Sequence, residues 1–232
     1  MYATATNYND LTSFEKDNYF RVAISVNCVI FGINEHELKV LLIRSNSGKD
    51  KKKLSLLSGL LLPDEDTIEA ASRVVKFYSG LTGINLQQVQ TSGFPYQHSE
   101  GRVVSIAYYS LINIKKYKLQ SEGEFELLWY PVKDIFQLIN DPQQLLNTGL
   151  NQLQENILNH QIESRLLPSK FSLRKLQSVY EVILSKPLDR RNFRKKLLAM
   201  NILDDLNEIE SGVHHRPGKL YRFKGFVPIE RK

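Results

Sequence analysis

A helix is predicted between Gly59 and Leu81, and the side chains on one of its faces decide whether it can bind a metal. Positions 74, 77 and 78 stand at i, i+3 and i+4, which places them on one face of a helix. Three carboxylates with this spacing could hold Mg²⁺ against a diphosphate. The sequence instead has Val74, Phe77 and Tyr78, and these side chains cannot ligate Mg²⁺ in that way. This face of the predicted helix therefore offers no magnesium ligands at these three positions.

The stretch from Gly59 to Leu81 resembles the Nudix box, whose pattern is G-x5-E-x7-R-E-U-x-E-E-x-G-U, where U is a bulky aliphatic residue. Five residues stand where the pattern requires them, namely Gly59, Glu65, Arg73, Gly80 and Leu81. We expect Glu65 and Arg73 to pair with each other or to cap the loop of the box, which is a structural role. The fold is then kept for a purpose other than hydrolysis, and no catalytic residue is expected.

A second group of side chains forms a cationic helix predicted over residues 190–201. Five cations, Arg190, Arg191, Arg194, Lys195 and Lys196, fall within seven residues, after Asp189, which can cap the helix. The apolar face holds Phe193, Leu197 and Met200, and Arg191, Asn192 and Lys195 lie opposite it. Such a helix fits the major groove of DNA, because arginine binds guanine with two hydrogen bonds, asparagine suits adenine, and flanking cations neutralise phosphates.

The neighbouring elements predict a winged helix-turn-helix. A helix over residues 171–184, capped by Ser172, precedes the turn 185–188. After the cationic helix, a two-turn spacer leads to residues 212–223, where HHRPG indicates a turn between two strands. The predicted DNA-binding residues are Lys170, Arg174, Lys175, Arg190, Arg191, Asn192, Arg194, Lys195, His214, His215, Arg216 and Lys219. The alternative interpretation is a basic surface that only improves solubility.

The distribution of charge changes near residue 165, just before the predicted winged helix-turn-helix. Residues 165–232 carry 16 Lys and Arg against 7 Asp and Glu, a balance of +9, whereas residues 1–164 have a balance of −3. The basic part is a candidate for binding a polyanion. We predict a flexible N-terminus over 1–19, a first domain over 20–164 and a DNA-binding domain over 165–232.

The bulk sequence excludes several classes of protein. Cys28 is the single cysteine, so no internal disulfide forms, and a reducing cytoplasm is expected. The first residues have no secretory pattern. No apolar run approaches the roughly 20 residues of a membrane helix, and no membrane partner is expected. His36, His98, His160, His214 and His215 lack the spacing of metal ligands.

The N-terminal pattern predicts an α+β fold, an α/β/α sandwich around a mixed sheet. Strands are predicted over residues 21–33, 38–44, 54–57, 102–114 and 125–130, and helices over 66–79, 132–139 and 142–162. The first two strands pair across the turn 34–37. Alternation along the fourth strand sends Ser105 and Tyr109 to one face of the sheet and Tyr108 to the other.

The two halves together resemble the Nudix-related transcriptional regulators. Residues 167–197, LPSKFSLRKLQSVYEVILSKPLDRRNFRKKL, are similar to the linking and helix-turn-helix motif of that family. GRVVSIAYYSLI at 101–112 and RPGKLYRF at 216–223 are similar to its signature strand and its wing. The resemblance covers about residues 20–225. It implies a Nudix-like domain that binds a small effector without hydrolysing it and a winged helix that binds operator DNA.

Members of that family respond to ADP-ribose or to pentoses such as arabinose. The predicted effector-binding residues are Asn27, Ser58, Gly59, His98, Arg102, Ser105 and Tyr109. Arg102 suits a phosphate or sugar hydroxyls, and Asn27 needs a hydrogen-bond partner, either a sugar hydroxyl or a backbone group. Phe77 and Tyr78 make the box region less polar, so a sugar is favoured over ADP-ribose.

The resemblance further implies a homodimer on a palindromic double-stranded operator, with no cofactor. The long helix after Pro142 could form the dimer contact. One alternative is a Nudix hydrolase in which Glu65 and Glu69 hold Mg²⁺ with Glu100 or Glu122. Another is a ligand-binding adaptor without DNA binding, which leaves the cationic helix unexplained.

Overall fold

A seven-stranded mixed sheet organises the N-terminal part of the chain. The computed structural model describes residues 22–34, 37–45, 53–93, 102–120, 125–135, 143–159, 166–213 and 216–225. The strands are β1 (Val22–Ile33), β2 (Leu38–Ser45), β3 (Leu54–Ser55), β4 (Leu57–Leu60), β5 (Gln87–Ser92), β6 (Arg102–Asn113) and β7 (Phe125–Pro131). β1 and β6 run parallel over twelve residues, and the other pairs are antiparallel.

Two helices cover the two faces of this sheet. Helix α1 (Thr67–Ser79) lies against one face, where Val26, Cys28 and Ile30 of β1 are fully buried. Helix α2 (Gln143–Leu158) lies against the other face, where Val29 and Phe31 are buried. The alternation of β1 fixes this division, because successive side chains of a strand point to opposite faces. The predicted α/β/α sandwich is confirmed.

Local chemistry sets both ends of α1. The side chain of Asp66 accepts hydrogen bonds from the backbone of Ile68 and Glu69, and Glu69 accepts one from the backbone of Asp66, which completes a capping box. Gly80 ends the helix in the left-handed conformation, with φ of 68°, which favours glycine. The predicted start and end of this helix are therefore confirmed.

The C-terminal part is a helix-turn-helix followed by a ribbon. Its elements are β8 (Phe171–Ser172), helix α3 (Leu173–Leu184), helix α4 (Arg190–Ala199), β9 (Leu203–Ile209) and β10 (Lys219–Phe223), with the strand order β8-β10-β9. Ser172 and Asp189 accept backbone hydrogen bonds at the starts of α3 and α4, as predicted. The predicted winged helix-turn-helix is confirmed.

One hydrophobic core runs from the α2 face of the sheet into the helix-turn-helix. Three side chains tie the two parts through backbone carbonyls. Asn113 donates to Leu166 O at 2.8 Å and Lys116 to Leu167 O at 2.9 Å. Gln154 of α2 donates to the carbonyl of Ile183 at the end of α3 at 3.0 Å. Residues 160–165 are outside the described ranges, so the domain boundary near 165 stays a prediction.

Several predicted elements differ from the structure. The two-turn spacer is wrong, because that segment forms β9, whose Leu203 is buried and pairs with Phe223. The helix predicted over 132–139 is a 3₁₀ turn at Val132–Asp134, and residues 136–140 lie outside the described part. The strand predicted at 54–57 is two strands, since β3 pairs with β2 and β4 pairs with β1. Strand β5 is not among the predicted elements.

Two further sequence expectations concern residues 1–19 and membrane helices. Residues 1–19 lie outside the described part of the chain. Across the described ranges, none of the helices combines the length and the apolar character needed to cross a bilayer. Cys28 is fully buried between β1 and α1, and burial raises the pKa of its thiol to about 12, which fits the predicted core role.

Candidate functional site

Apolar packing occupies the place where the Nudix pattern has its first ligand. Val74 is buried on the sheet side of α1, and a Cβ added at Gly59 would stand 2.7 Å from its Cγ2 atom. Glycine at 59 is therefore needed for the close approach of β4 to α1. The two positions are matched as a packing pair rather than as a metal site.

Glu65 and Arg73, which match the Nudix pattern, hold the loop before α1. Arg73 donates from Nε to Oε2 of Glu65 at 2.8 Å and from Nη2 to the carbonyl of Leu60 at 2.8 Å. Oε1 of Glu65 accepts from the backbone N–H of Leu62 at 2.8 Å. These contacts lower the pKa of Glu65, with the Arg73 hydrogen bond as the main cause. The predicted pairing and the predicted loop cap both occur.

Aromatic rings replace the remaining two ligand positions. Phe77 is 64% exposed, and its ring centre lies 5.1 Å from that of Tyr78. Both rings pack against Phe125 at the start of β7, at 6.1 and 4.9 Å. Partial burial raises the pKa of the Tyr78 phenol. This end of α1 presents apolar surface where a hydrolase would present carboxylates.

The alternative metal site finds few ligands among the described residues. Within these ranges, no three His, Cys, Asp or Glu side chains come together as a ligand group. Glu69 is engaged in the capping box with Asp66, and Glu65 is engaged with Arg73. Glu100 and Glu122, the further acids of that alternative, lie outside the described residues.

Four residues, three of them predicted effector contacts, form what we call the polar sheet face: Ser25, Asn27, Ser58 and Ser105. The register places Ser25 opposite Ser105 and Asn27 opposite Ser58, so all four share the α2 side of the sheet. The hydroxyls of Ser25 and Ser105 lie 3.1 Å apart. Nδ2 of Asn27 donates to Ser25 Oγ at 3.4 Å, which is neither of the partners expected for it.

The polar sheet face is only partly covered, and it carries no charge. Ser25, Asn27 and Ser105 are half-buried, and Ser58 is exposed. Helix α2 covers the same side of the sheet farther along β1, where a Cβ added at Gly149 would stand 3.5 Å from the ring of Phe31. Hydroxyl and amide groups on an uncharged floor suit the hydroxyls of a bound sugar or ribose.

Two other predicted effector residues, Gly59 and Tyr109, are not part of the polar sheet face. Gly59 lies on the α1 side, because its register partner is Val26. Tyr109 is buried, and its hydroxyl donates to Gln87 Oε1 at 2.8 Å and accepts from Asn156. The packing of Tyr109 thus involves β5 and α2.

Arg102, His98 and Tyr108 were also considered in the sequence, and the structure describes them to different extents. The backbone of Arg102 pairs with Val22, and its side chain lies outside the described part. His98 lies outside the described residues as well. Tyr108 faces the side opposite to Ser105, as expected, and shares a hydrogen bond with Thr67 at 2.7 Å.

A separate pocket of about 180 Å³ lies between α1 and residues 81–86. Arg73 and Lys76 contribute its cationic side chains, and Leu81, Ile84 and Leu86 its apolar ones. None of the predicted effector residues lines it. Since Arg73 is held by Glu65, Lys76 is the cation of this pocket that is available to a ligand.

Helix α4 exposes the predicted cations. Phe193 and Leu197 are buried, which turns the opposite side of the helix outward as the sequence indicates. All five cations and Asn192 are exposed. Among the described residues, no carboxylate lies within ion-pair distance of Arg190, Arg191, Arg194, Lys195 or Lys196. The surface therefore has five positive charges without compensation at close range, as a phosphate-binding surface requires.

The turn between α3 and α4 is held by a carboxylate that is not among the predicted site residues. Oε1 of Glu181 accepts from the backbone N–H of Leu188 at 2.9 Å and from Nε2 of Gln177 at 2.9 Å. Gln177 also donates to the carbonyl of Leu188 at 2.9 Å. Glu181 sits one turn from the end of α3, four residues after Gln177, and that spacing is the sequence signal for the pair.

The predicted cations outside α4 behave differently. Lys170 donates to both carboxylate oxygens of Glu208 at 2.7 Å, and Lys219 donates to Asp205 at 2.7 Å. The ribbon thus supplies carboxylates that pair with these two lysines, and the net charge of +9 does not reveal this pairing. The remaining predicted contacts are Arg174 and Arg216, which are exposed, Lys175, which is half-buried, and His214 and His215, which lie outside the described residues.

The helix-turn-helix and its ribbon match a known domain. The family model described as the NrtR DNA-binding winged helix domain matches residues 163–223. This segment is an NrtR-type winged helix domain. In this chain the second helix of the domain is α4, and its ribbon is formed by β9 and β10.

The likeness extends beyond the NrtR-type domain. The ADPR responsive transcriptional repressor NtrR of Acinetobacter baylyi is 26% identical over 217 residues, which is 92% of this chain and 86% of that protein. The predicted resemblance to the Nudix-related transcriptional regulators is confirmed. The chain spans nearly the whole length of this relative.

Solved structures share the fold. Crystal structures of Shewanella oneidensis NrtR, free and with a 27mer DNA, are 24% and 23% identical and both have a TM-score of 0.70. Each covers 87% of this chain, and 94% and 93% of the NrtR chain are matched. The Nudix domain of the same NrtR with ADP ribose is 19% identical, with a TM-score of 0.53, over 66% of this chain and 99% of that one. The fold is a Nudix domain followed by a winged helix.

Proposed function

We propose that this chain is a ligand-responsive transcriptional regulator that binds operator DNA through α4. The observation that carries the proposal is the set of five exposed cations on α4, which lack close carboxylates among the described residues. Arg191, Asn192 and Lys195 stand on the outward side and are our candidates for base contacts. The flanking cations Arg190, Arg194 and Lys196 would neutralise phosphates.

The N-terminal domain acts in this proposal as a sensor without hydrolysis. Val74 packs against Gly59, and Glu65 is held by Arg73 and Leu62, so the box serves folding. A Mg²⁺-dependent hydrolase has no observation in its favour among these contacts. The direct check is formation of AMP and ribose 5-phosphate from ADP-ribose in the presence of Mg²⁺, which we expect to be absent.

The effector we propose is ADP-ribose, bound with its ribose hydroxyls on the polar sheet face. The name of the Acinetobacter baylyi relative and the ADP-ribose complex of the Shewanella oneidensis domain support this choice. The sequence-based preference for a pentose such as arabinose has no support from these relatives. Ser25, Asn27, Ser58 and Ser105 offer neutral hydrogen-bonding groups, which suit ribose more than a diphosphate.

The homodimer and the palindromic operator remain part of the proposal. Two recognition helices related by a twofold axis would read half-sites about one helical turn apart. A protein that forms such a dimer should protect a site with inverted symmetry. Sedimentation of the protein–DNA complex gives the number of protomers bound for each duplex.

The experiment that tests the proposal begins with selection of duplexes from a random pool. The affinity of the selected duplex is then compared with that of a shuffled duplex of the same composition over a range of salt. We expect sequence-selective binding that weakens as salt rises. Equal affinity for both duplexes, or no binding to either, would remove DNA reading as the function. Thermal shifts with ADP-ribose and with arabinose distinguish the two effectors, because a ligand of the folded state raises Tm.

A further inference from the structure

The ribbon beside the recognition helix carries a carboxylate at an unexpected place. Asp205 of β9 accepts from Nζ of Lys219 on β10 at 2.7 Å, and its other oxygen accepts from the backbone N–H of Asn207 at 2.9 Å. Asn207 has φ of 54°, a left-handed conformation that asparagine tolerates better than most residues. Asp205 is therefore held in place by its own strand as well as by Lys219.

The register fixes which side of the ribbon this pair occupies. Asp205 is opposite Tyr221, which is buried against the helices, so Asp205 lies on the side of the ribbon that faces them. The hydrogen bond from Lys219 is the main cause that lowers the pKa of Asp205, the backbone N–H of Asn207 lowers it further, and the charge of Arg194 on α4 adds a smaller contribution. Asp205 thus belongs to the face of the ribbon that is turned toward the helices.

The neighbouring acid faces the other way. Asp204 is opposite Arg222 in the register and pairs with it at 3.1 Å. Because consecutive residues of a strand point to opposite faces, this second ion pair lies on the outer side of the ribbon. Both acids are partly or fully exposed, and both bind one cation of β10. The chain therefore contains a matched internal control.

We propose that Asp205 is a specificity determinant of the DNA-binding surface, whose carboxylate keeps Lys219 from neutralising a phosphate. This inference rests on the DNA-binding function proposed above. A cation that is already paired with a carboxylate releases no counterion from DNA, so it adds nothing to sequence-independent affinity. Lys219 then contributes little to the attraction toward arbitrary DNA, and the base contacts of α4 decide where the protein binds.

Replacing the carboxylate tests this role. Asp205→Asn leaves the charge of Lys219 without its carboxylate partner. For a shuffled duplex, we expect the slope of log K against log salt to steepen by about 0.9 per protomer and the affinity at about 0.1 M salt to rise roughly eightfold. The affinity ratio between the selected and shuffled duplexes falls, because the added attraction is independent of sequence.

Three controls make the result specific. Asp204→Asn changes the net charge equally on the outer side, and we expect less than half of the effect. Asp205→Asn combined with Lys219→Gln removes both charges and should return the wild-type slope. Melting curves show that each variant is folded.

The outcomes separate the two proposals. If the wild-type protein selects no duplex, the proposed function fails. If the wild type is selective but Asp205→Asn binds shuffled DNA as the wild type does, the role of Asp205 is wrong. The role is also wrong if Asp204→Asn binds shuffled DNA as tightly as Asp205→Asn does, because net charge alone then explains the change. It is wrong as well if the double variant keeps the steeper salt slope, because Lys219 is then not the cation that contacts DNA.

Discussion

Asn156 of α2 donates from Nδ2 to the hydroxyl of Tyr109 on β6 at 2.5 Å. Tyr109 in turn donates to Gln87 on β5, and it follows Ser105 of the polar sheet face by four residues on the same strand face. Two residues before Asn156, Gln154 contacts the last turn of α3 through the carbonyl of Ile183. Helix α2 therefore contacts the seven-stranded sheet and the helix-turn-helix within one turn.

This arrangement predicts that Asn156 couples effector binding to DNA binding. Asn156→Ala should reduce the ratio of DNA affinities with and without effector toward one, from the roughly fivefold or larger ratio that is typical of allosteric proteins. The DNA affinity of the free protein should change less than about twofold, since α4 is untouched. Asn147→Ala, which alters an exposed asparagine of the same helix, is the control. An unchanged ratio in Asn156→Ala would argue against this route.

Charge on the outward side of α4 gives a second prediction. Arg191→Ala and Lys195→Ala should each weaken DNA binding, and removal of one phosphate contact should reduce the salt slope by about 0.9. Where the side chain reads a base, its removal should also relax the preference at one operator position, at a cost of about 1–3 kcal/mol. Lys118→Ala, an exposed cation distant in sequence, should bind like the wild type. Equal weakening in all three variants would show that only net charge matters.

Glu181 gives a prediction about positioning. Glu181→Ala removes the acceptor for Leu188 N–H and for Gln177, so two hydrogen bonds no longer hold the turn that sets the angle of α4. We expect a decrease of about 1.5–3 kcal/mol in the free energy of unfolding measured in urea, because hydrogen bonds to a charged group are strong. DNA affinity should fall although no DNA-contacting residue has changed. Glu181→Gln keeps an acceptor oxygen and should recover much of both properties.

The pair of Glu65 and Arg73 predicts a pH dependence of stability. Because the pKa of Glu65 is lowered in the folded protein, its stabilising contribution is fully present above the ordinary pKa of about 4.3. It is lost as the pH falls through the lowered value. Glu65→Gln should therefore be less stable than the wild type at neutral pH, and the gap should close in acid. A gap that is the same at every pH would contradict this, and Asp64→Asn serves as the control.

Periodic and capped elements could be predicted from the sequence, because their causes are local. The alternation of β1 and β6, the apolar stripe of α3, and the caps at Ser172 and Asp189 each depend on residues within a few positions. The exchange of the three box acids for Val74, Phe77 and Tyr78 predicted the loss of magnesium ligands, whereas the packing of Val74 against Gly59 is seen only in the structure.

The features that could not be predicted from the sequence depend on contacts between distant segments of the chain. Strand β9, LDDLNEI, contains three acids and looks like a polar spacer, and its identity as a strand comes from pairing with β10. Strand β5 is equally polar and is defined by its register with β6. The ion pairs of Lys170 and Lys219 join residues 38 and 14 positions apart, so a charge count could not distinguish them from free cations.

Reciprocity of effector and operator binding is the most direct test of a sensor domain coupled to a DNA-binding domain. The affinity of the protein for its selected duplex is measured with and without saturating ADP-ribose, and the affinity for ADP-ribose is measured with and without the duplex. We predict that both affinities change by the same factor and that this factor differs from one. Two independent affinities, with a factor of one in both directions, would contradict the proposed coupling.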